Sequence, residues 1–313
     1  MSESKEQKNK FTLGQKLKGH FILTRPQQLL WLDIFGAMGF YAIIARHVPT
    51  FHYLLFILCA VIADAGACTI NDVGDQESDC RSKEPSRRKR PLCTGVVSRK
   101  TAKKQAYVLY AIGLILALYL DFFVFLAALF LILLSHQYSM KPLKMNSRHI
   151  ISQFFWIGFG LLYYFAIFAY LFRYETIPME NYYFGLYFLV ALILFMAMAE
   201  TLAKDLRDLE NDRAGGKITT PAHFGPKSAA VVSFIFSVFG LLFWATPYFT
   251  VYDTHLVLKG LIMLIVVLWN ILCFFLCKSI YRNYTKGKAR KLHKGFILTF
   301  TMVLTLSFLA GVL

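Results

Sequence analysis

Ten aspartates occur in the 313-residue chain, and six of them fall in two short stretches. INDVGDQESD carries Asp72, Asp75 and Asp79 behind Asn71, and KDLRDLEND carries Asp205, Asp208 and Asp212 behind Lys204. Both triplets step by three and then four residues, so on a helix each lies within an arc of roughly 60°. Each is a one-sided acidic stripe, and like charges set that close need a cation between them. Oxygen donors without His or Cys suit Mg²⁺, which keeps part of its water shell and is shared between carboxylates and substrate phosphates. Ion pairing with neighbouring Lys and Arg is the competing explanation, yet it gives no reason to repeat one spacing at places 133 residues apart. The stripes are therefore expected to hold two Mg²⁺ ions, with all six aspartates as ligands, and the ions to grip a diphosphate.

A diphosphate also needs direct cationic partners, and two loops supply them. CRSKEPSRRKRPLCTG follows the first stripe and ends its basic run at Arg90, fixed before Pro91; HQYSMKPLKMNSR brings Tyr138, Lys141, Lys144 and Arg148. Forked guanidinium donors and ammonium point charges are the usual phosphate partners, and Arg90 and Lys144 are the expected contacts. The rest of the composition describes what the diphosphate is attached to. Hydrophobic residues make up 57% of the chain and charged residues 17%, with 30 Phe and 17 Tyr, too little polar surface for a soluble domain of this length. Lipid is the main solvent; intrinsic disorder and a secreted disulfide scaffold are excluded. The net charge of +16 lacks any folded basic soluble segment with which to bind nucleic acid. A polyprenyl diphosphate fits both the clamp and the apolar interior. Mg²⁺ neutralises a leaving diphosphate as its C–O bond breaks, and Phe and Tyr ring faces steady an allylic cation in a dry pocket.

The elements that must position these residues are nine apolar runs, about 28–45, 52–70, 106–120, 122–138, 151–172, 182–203, 228–247, 254–277 and 295–313, judged against the roughly 20 residues a spanning helix needs. The third and fourth meet at Asp121 as a tight hairpin. With the N-terminus cytoplasmic, 31 of the 34 Lys and Arg fall in cytoplasmic connections, leaving Arg46, Arg173 and Lys259 outside. The expected fold is an all-α integral membrane protein, nine transmembrane helices in one bundle, with the C-terminus on the opposite side. Both stripes then sit at cytoplasmic ends, of the second and sixth helices, and face each other. Residues 1–20 read as a flexible cytosolic tail rather than a cleavable signal, and 21–313 as a single transmembrane domain. The six Cys show no metal-site spacing, and Cys80 and Cys93 fall in a loop on the reducing side. Asp64 precedes Asp72 by eight residues on roughly the same face, either to orient the acceptor or act as a base, or to pair with a neighbouring helix.

NDVGDQESD, KRPLCTGVVS, YSMKPLK and KDLRDLENDRAGGKITT together resemble the UbiA superfamily of intramembrane prenyltransferases, from about Asn71 to Gly225. The nine-helix count is similar to that family's fold. The resemblance implies that Asn71, Asp72, Asp75 and Asp79 form the first motif, that Asp205, Asp208 and Asp212 form the second, and that Arg90, Tyr138, Lys144 and Lys204 serve the diphosphate or catalysis. Catalytic roles then fall to Asp72, Asp75, Asp205, Asp208, Lys204 and Tyr138, and substrate binding to Asn71, Arg90, Lys144 and Asp64. The 4-hydroxybenzoate branch tends to lack an Asp at the place of Asp212 and often has Arg at that of Asp64. The form seen here is more similar to branches that prenylate naphthoate or homogentisate rings, chlorophyll-type alcohols or archaeal glycerol lipids.

The expected function is Mg²⁺-dependent transfer of a polyprenyl chain from its diphosphate to an aromatic quinone precursor, releasing diphosphate. A lipid or alcohol hydroxyl is the alternative acceptor. A divalent-cation transporter is a rival of another class, opposed by the ten Lys and Arg that follow the first stripe. The expected partners are the polyprenyl diphosphate, a small acceptor and the bilayer, with neither nucleic acid nor an obligate protein partner. The active site is expected on the cytoplasmic side of a multi-pass membrane protein, at the inner membrane if the chain is bacterial.

Overall fold

Thr12 opens the first helix, α1 (Leu13–Leu23): its hydroxyl accepts from the Gln15 N–H while the Gln15 side chain accepts from the Thr12 N–H, a capping box that satisfies two otherwise orphaned donors. The computed structural model describes residues 11–45, 47, 49–82, 84–250 and 256–312. Residues 1–10 of the expected tail, and Arg46, thus lie outside the described residues, while 13–20 are helical. The helix forms there because Gly19 and Leu23 are buried, with Gly19 packed against Val96 and Val97.

The next helical stretch, α2 (26–45), is built of Pro26–Leu29, a wider π turn at Leu30–Phe35 and Gly36–Ala45. Then follow α3 (Phe51–Arg81), α4 (Arg99–Leu120), α5 (Phe122–Ser139), α6 (Ile151–Tyr174), α7 (Met179–Ala214, with a π turn at Ile193–Glu200), α8 (Pro226–Thr250), α9 (Leu256–Arg282) and α10 (Lys286–Val312). Among the described residues eight helices, α3 to α10, are long and apolar enough to cross a membrane. The chain is an all-α, multi-pass membrane protein. The expected first span corresponds to α2, which is not one of those eight. Helix α3 runs well past its apolar stretch to carry the whole first stripe, and α4 starts at Arg99 on a Ser98 cap rather than near residue 106. Asp121 joins α4 to α5 as expected, its carboxylate accepting from the Phe123 N–H at 2.7 Å.

Small residues let these helices approach closely. At Gly66 a Cβ would stand 2.7 Å from the Tyr110 ring, locking α3 to α4. At Gly74, inside the first acidic motif, a Cβ would stand 2.2 Å from the Ser139 carbonyl oxygen, so the end of α5 lies directly on the stripe. Two tryptophans tie the far half together, Trp244 donating to Ser307 at 2.9 Å and Trp269 to Ser237 at 2.6 Å.

Between α3 and α4 the chain makes two short turns, Pro85–Arg88 and Pro91–Thr94, each with proline at its first position, where a missing N–H costs nothing. The reversal returns the loop along α3 and forms a disulfide between Cys80 and Cys93, whose Cα atoms are 5.2 Å apart. This corrects the reading of both as loop thiols: Cys80 lies in the last turn of α3 and is bonded to Cys93. A separation of 13 residues carries no disulfide signal, because it takes the two proline turns to make these positions neighbours.

Candidate active site

The second stripe lies on the last segment of α7, Thr201–Ala214, directly after the π turn. A π turn inserts one extra residue and rotates everything beyond it, here the face that carries Asp205, Asp208 and Asp212. Arg87 joins this face to the first stripe. Its guanidinium donates to Asp79 at 3.0 Å and lies 3.1 Å from Asp208, while its Nε donates to Glu84 at 3.2 Å. One planar cation thus spans carboxylates that are 129 positions apart in the chain.

Lys217 makes a second bridge. It follows the Gly215–Gly216 stop of α7, with Gly216 at a φ of 70° that L side chains avoid, and its ammonium lies 2.8 Å from Asp75 and close to Asp212. Asn146 also donates to Asp75, at 3.2 Å. Asp72 is buried between two arginines: Arg90 lies 3.2 Å away, and Arg25 contacts both Asp72 and, at 2.9 Å, the Asn71 side-chain oxygen. Arg90 reaches Asp79 as well. Burial works against the charge on Arg87 and Lys217, but Asp208 and Asp79 for the first, and Asp75 for the second, outweigh it and raise both pKa values.

Most of the sequence-predicted residues therefore meet. Asn71, Asp72, Asp75, Asp79 and Arg90 lie on one side, Asp208 and Asp212 on the other. Tyr138 stacks on Phe155 with ring centroids 4.0 Å apart and meets Trp156 edge-on at 5.7 Å. Lys204 differs from expectation: its ammonium lies 5.6 Å from the Trp156 ring centroid, and no carboxylate pairs with it directly among the described contacts. Lys144, at a φ of 42°, sits on the loop after α5 near enough for its charge to act on Asp75. Asp64 is apart from this group, deeper along α3, where it lines a cavity together with Asp33.

Four contributors were not singled out from sequence: Arg25, Asn146, Lys217, and Arg87 as a bridge. Arg25 did carry a signal, since Arg25-Pro26 repeats the Arg90-Pro91 dipeptide and both arginines converge on Asp72. Asn146 carried none.

Does this site suit a hard divalent ion? The buried Asp205 Oδ2 has no hydrogen-bond partner among the described residues, an oxygen left free for a ligand. The donors are all oxygen, as Mg²⁺ prefers. Among the described residues no three His, Cys, Asp or Glu converge as a closed metal cage, because Arg87 and Lys217 stand between the stripes. An ion held by one or two carboxylates and completed by waters and phosphate oxygens needs no such cage, so the residues fit.

The sequence profile of the UbiA prenyltransferase family matches residues 33–304. The chain belongs to that family. It is a prenyltransferase, and the transporter reading falls. Digeranylgeranylglyceryl phosphate synthase of Pyrococcus furiosus is 29% identical over 307 residues, covering 95% of this chain and 98% of the relative. The enzyme of the same name from Thermococcus kodakarensis is 28% identical over 227 residues, 71% of this chain and 75% of the relative. A solved structure of a digeranylgeranylglyceryl phosphate synthase superposes with a TM-score of 0.68 at 21% identity, covering 95% of this chain and 99% of that one. A UbiA homologue from Archaeoglobus fulgidus bound to GPP and Mg²⁺ gives a TM-score of 0.66 at 20% identity, covering 92% and 99%.

Proposed function

We propose that this UbiA-family enzyme transfers a prenyl chain from its diphosphate to the hydroxyl of a glycerol lipid, with Mg²⁺ between the two acidic stripes. The donor half rests on one observation: Arg87 touches both Asp79 and Asp208, so the stripes share a single mouth, which Arg25, Arg90 and Lys217 also line. The Archaeoglobus homologue bound to GPP and Mg²⁺ supports the same pairing of ligand and ion. For the acceptor, the aromatic quinone precursor expected from the sequence gives way to the alternative. The relatives are named for a product with two geranylgeranyl chains on glyceryl phosphate, so the last chain added to such a product meets an alcohol oxygen and not a ring.

Asp72, Asp75 and Asp79 would hold the divalent metal on the α3 side, and Asp205, Asp208 and Asp212 on the α7 side. Bound there, Mg²⁺ supplies Lewis-acid neutralisation of the leaving diphosphate. Arg87 and Lys217, with Arg25, Arg90 and Lys144, would face the phosphate oxygens of the donor; Asn71 orients Arg25 through its side-chain oxygen. Tyr138, set by its stack on Phe155, and Trp156 offer ring faces to the positive charge that develops at the allylic carbon. Lys204, over Trp156, adds its charge beside Asp205 and Asp208.

We place nine spans, α2 being the first, in one transmembrane domain from about residue 21, with the N-terminus and the site on the cytoplasmic side. The support is that 31 of 34 Lys and Arg share the side of the stripes in that arrangement.

The test is to incubate purified protein with labelled geranylgeranyl diphosphate and geranylgeranylglyceryl phosphate, 4-hydroxybenzoate or dihydroxynaphthoate, with and without Mg²⁺, and to identify products by mass. The ether product is expected, only with the divalent ion. A prenylated ring in its place refutes the acceptor. Asp72→Asn and Asp205→Asn are each expected to reduce turnover at least about 100-fold, the scale of losing one preorganised charge in a dry site, with melting temperature preserved; full turnover in both refutes the clamp.

A further inference from the structure

A cavity lies along α3 from Phe56 to Ala67 and is bounded by α2, α4, α5 and α6. Most of its wall is apolar, as a chamber for hydrocarbon requires. Five helices nevertheless contribute polar residues to its lining: Asp33 from α2, Asp64 from α3, Tyr110 from α4, Ser135 from α5 and Tyr163 from α6. Asp33 and Tyr110 are each only 5% exposed. Asp33 Oδ2 and the hydroxyls of Tyr110 and Tyr163 are buried, and none has a hydrogen-bond partner among the described residues. Unsatisfied buried polar atoms on three helices that line one cavity are costly to folding and ask for a ligand that satisfies them. Asp33 also stands in the π turn of α2, a local widening that in helices frequently marks a functional position.

Asp33 and Asp64 both line this cavity, near enough for the charge of one to act on the other. Their other close charge is Arg25, which is itself engaged by Asn71 and Asp72, and Cys68 donates to Asp64 at 3.8 Å. Two neighbouring carboxyl groups in an apolar cavity resist being charged together, since two bare charges repel strongly at low dielectric. Such a pair rejects a ligand carboxylate and welcomes a neutral hydroxyl, to which it offers an acceptor oxygen and a proton.

We propose that this cavity seats the acceptor's hydroxyl group: the Asp33–Asp64 pair, with Tyr110 and Tyr163, hydrogen-bonds an uncharged alcohol and receives its proton as the ether bond forms. The step balances. The prenyl C–O bond breaks and its electron pair leaves with diphosphate; the alcohol oxygen forms the new C–O bond; its proton passes to the ionised carboxylate of the pair and then to water. Asp33 is thereby a catalytic residue that neither acidic motif includes. The inference rests on the hydroxyl-acceptor reading above and specifies which residues carry it.

The test measures donor and acceptor separately. With geranylgeranylglyceryl phosphate as acceptor, Asp33→Asn and Asp64→Asn are expected to lower kcat at least about 100-fold, the usual scale of a lost general base, with the KM for geranylgeranyl diphosphate within threefold. Tyr110→Phe and Tyr163→Phe, which remove a hydroxyl without changing shape, are expected to raise the acceptor KM about tenfold while the melting temperature holds or rises, since an unsatisfied buried group is deleted. Unchanged acceptor kinetics in all four variants, or equal loss for donor and acceptor, overturns the proposal. Thermal stabilisation by the neutral ether 1-O-geranylglycerol separates this inference from the functional reading. If the wild type fails to prenylate geranylgeranylglyceryl phosphate yet is stabilised by this probe, and Asp33→Asn and Tyr163→Phe are not, the lipid-acceptor reading fails and the hydroxyl site stands. If the wild type turns over and the variants match it in kinetics and in probe binding, the hydroxyl site alone fails.

Discussion

Replacing Arg87 by alanine tests whether the bridge and a divalent ion occupy the same place. Removing one partner of a buried ion pair costs about 3–5 kcal/mol, most of it from the charge left behind. The Arg87 side chain is 16% exposed and those of Asp79 and Asp208 are 2% and 14% exposed, so the low end, about 3 kcal/mol, applies. In chelator this loss stands uncompensated, because Asp79 and Asp208 then face each other across the gap. An ion that binds the folded state at 100 times its Kd returns about 2.7 kcal/mol, nearly the whole deficit. The wild type gains less from Mg²⁺, since its ion must displace Arg87 from both carboxylates. Unfolding midpoints in detergent, in EDTA and in saturating MgCl₂ at matched ionic strength, are therefore expected to differ widely without the ion and to converge with it. A deficit of the same size in both conditions refutes the shared position.

Three further outcomes follow from other contacts. Gly74→Ala places a methyl group 2.2 Å from the Ser139 carbonyl and is expected to destabilise by about 1–3 kcal/mol, the range for forced overpacking; an unchanged melting temperature shows that α5 does not rest on the stripe. Burial pushes the Glu84 carboxyl up, but the Lys286 ammonium and Arg87 outweigh this and hold it below its ordinary value. The link from the α3–α4 loop to α10 then contributes stability in full above about pH 4.3, and loses it as the pH falls through the lowered value. Lys286→Met should flatten the acid limb of the melting profile, and an identical limb in the variant discounts the contact. Lys144→Ala is expected to raise the KM of the prenyl diphosphate severalfold more than that of the acceptor; equal effects remove it from the donor side.

The acidic stripes were legible because a charge in a spanning segment is expensive and its spacing is periodic: Asp72, Asp75 and Asp79, or Asp205, Asp208 and Asp212, have few reasons to recur on one face. The hairpin at Asp121 was legible for a similar reason, a lone capping residue between apolar runs. What the sequence concealed arises from the third dimension. Arg87 sits in a run of basic residues that all look solvated, and only the proline turns decide that it, and not Arg88 or Lys89, reaches both stripes. Cys80 and Cys93 become partners by the same turns. The sequence left the acceptor open between a ring and a hydroxyl because the motifs around the diphosphate describe the donor, while the residues that line the deeper cavity come from five helices with no shared spacing.

Charge along the site also orients an acceptor that carries both a phosphate and a free hydroxyl. Arg25, Arg87, Arg90 and Lys217 gather at the mouth, whereas the deeper wall presents Asp33 and Asp64 and two tyrosine hydroxyls. A phosphate is repelled by the deep carboxyl pair and attracted to the mouth; a neutral hydroxyl gains nothing from the guanidinium groups that an anion does not gain better. The two ends of a glyceryl phosphate therefore sort themselves, with Arg25, the cation whose charge acts on Asp64, at the boundary between them.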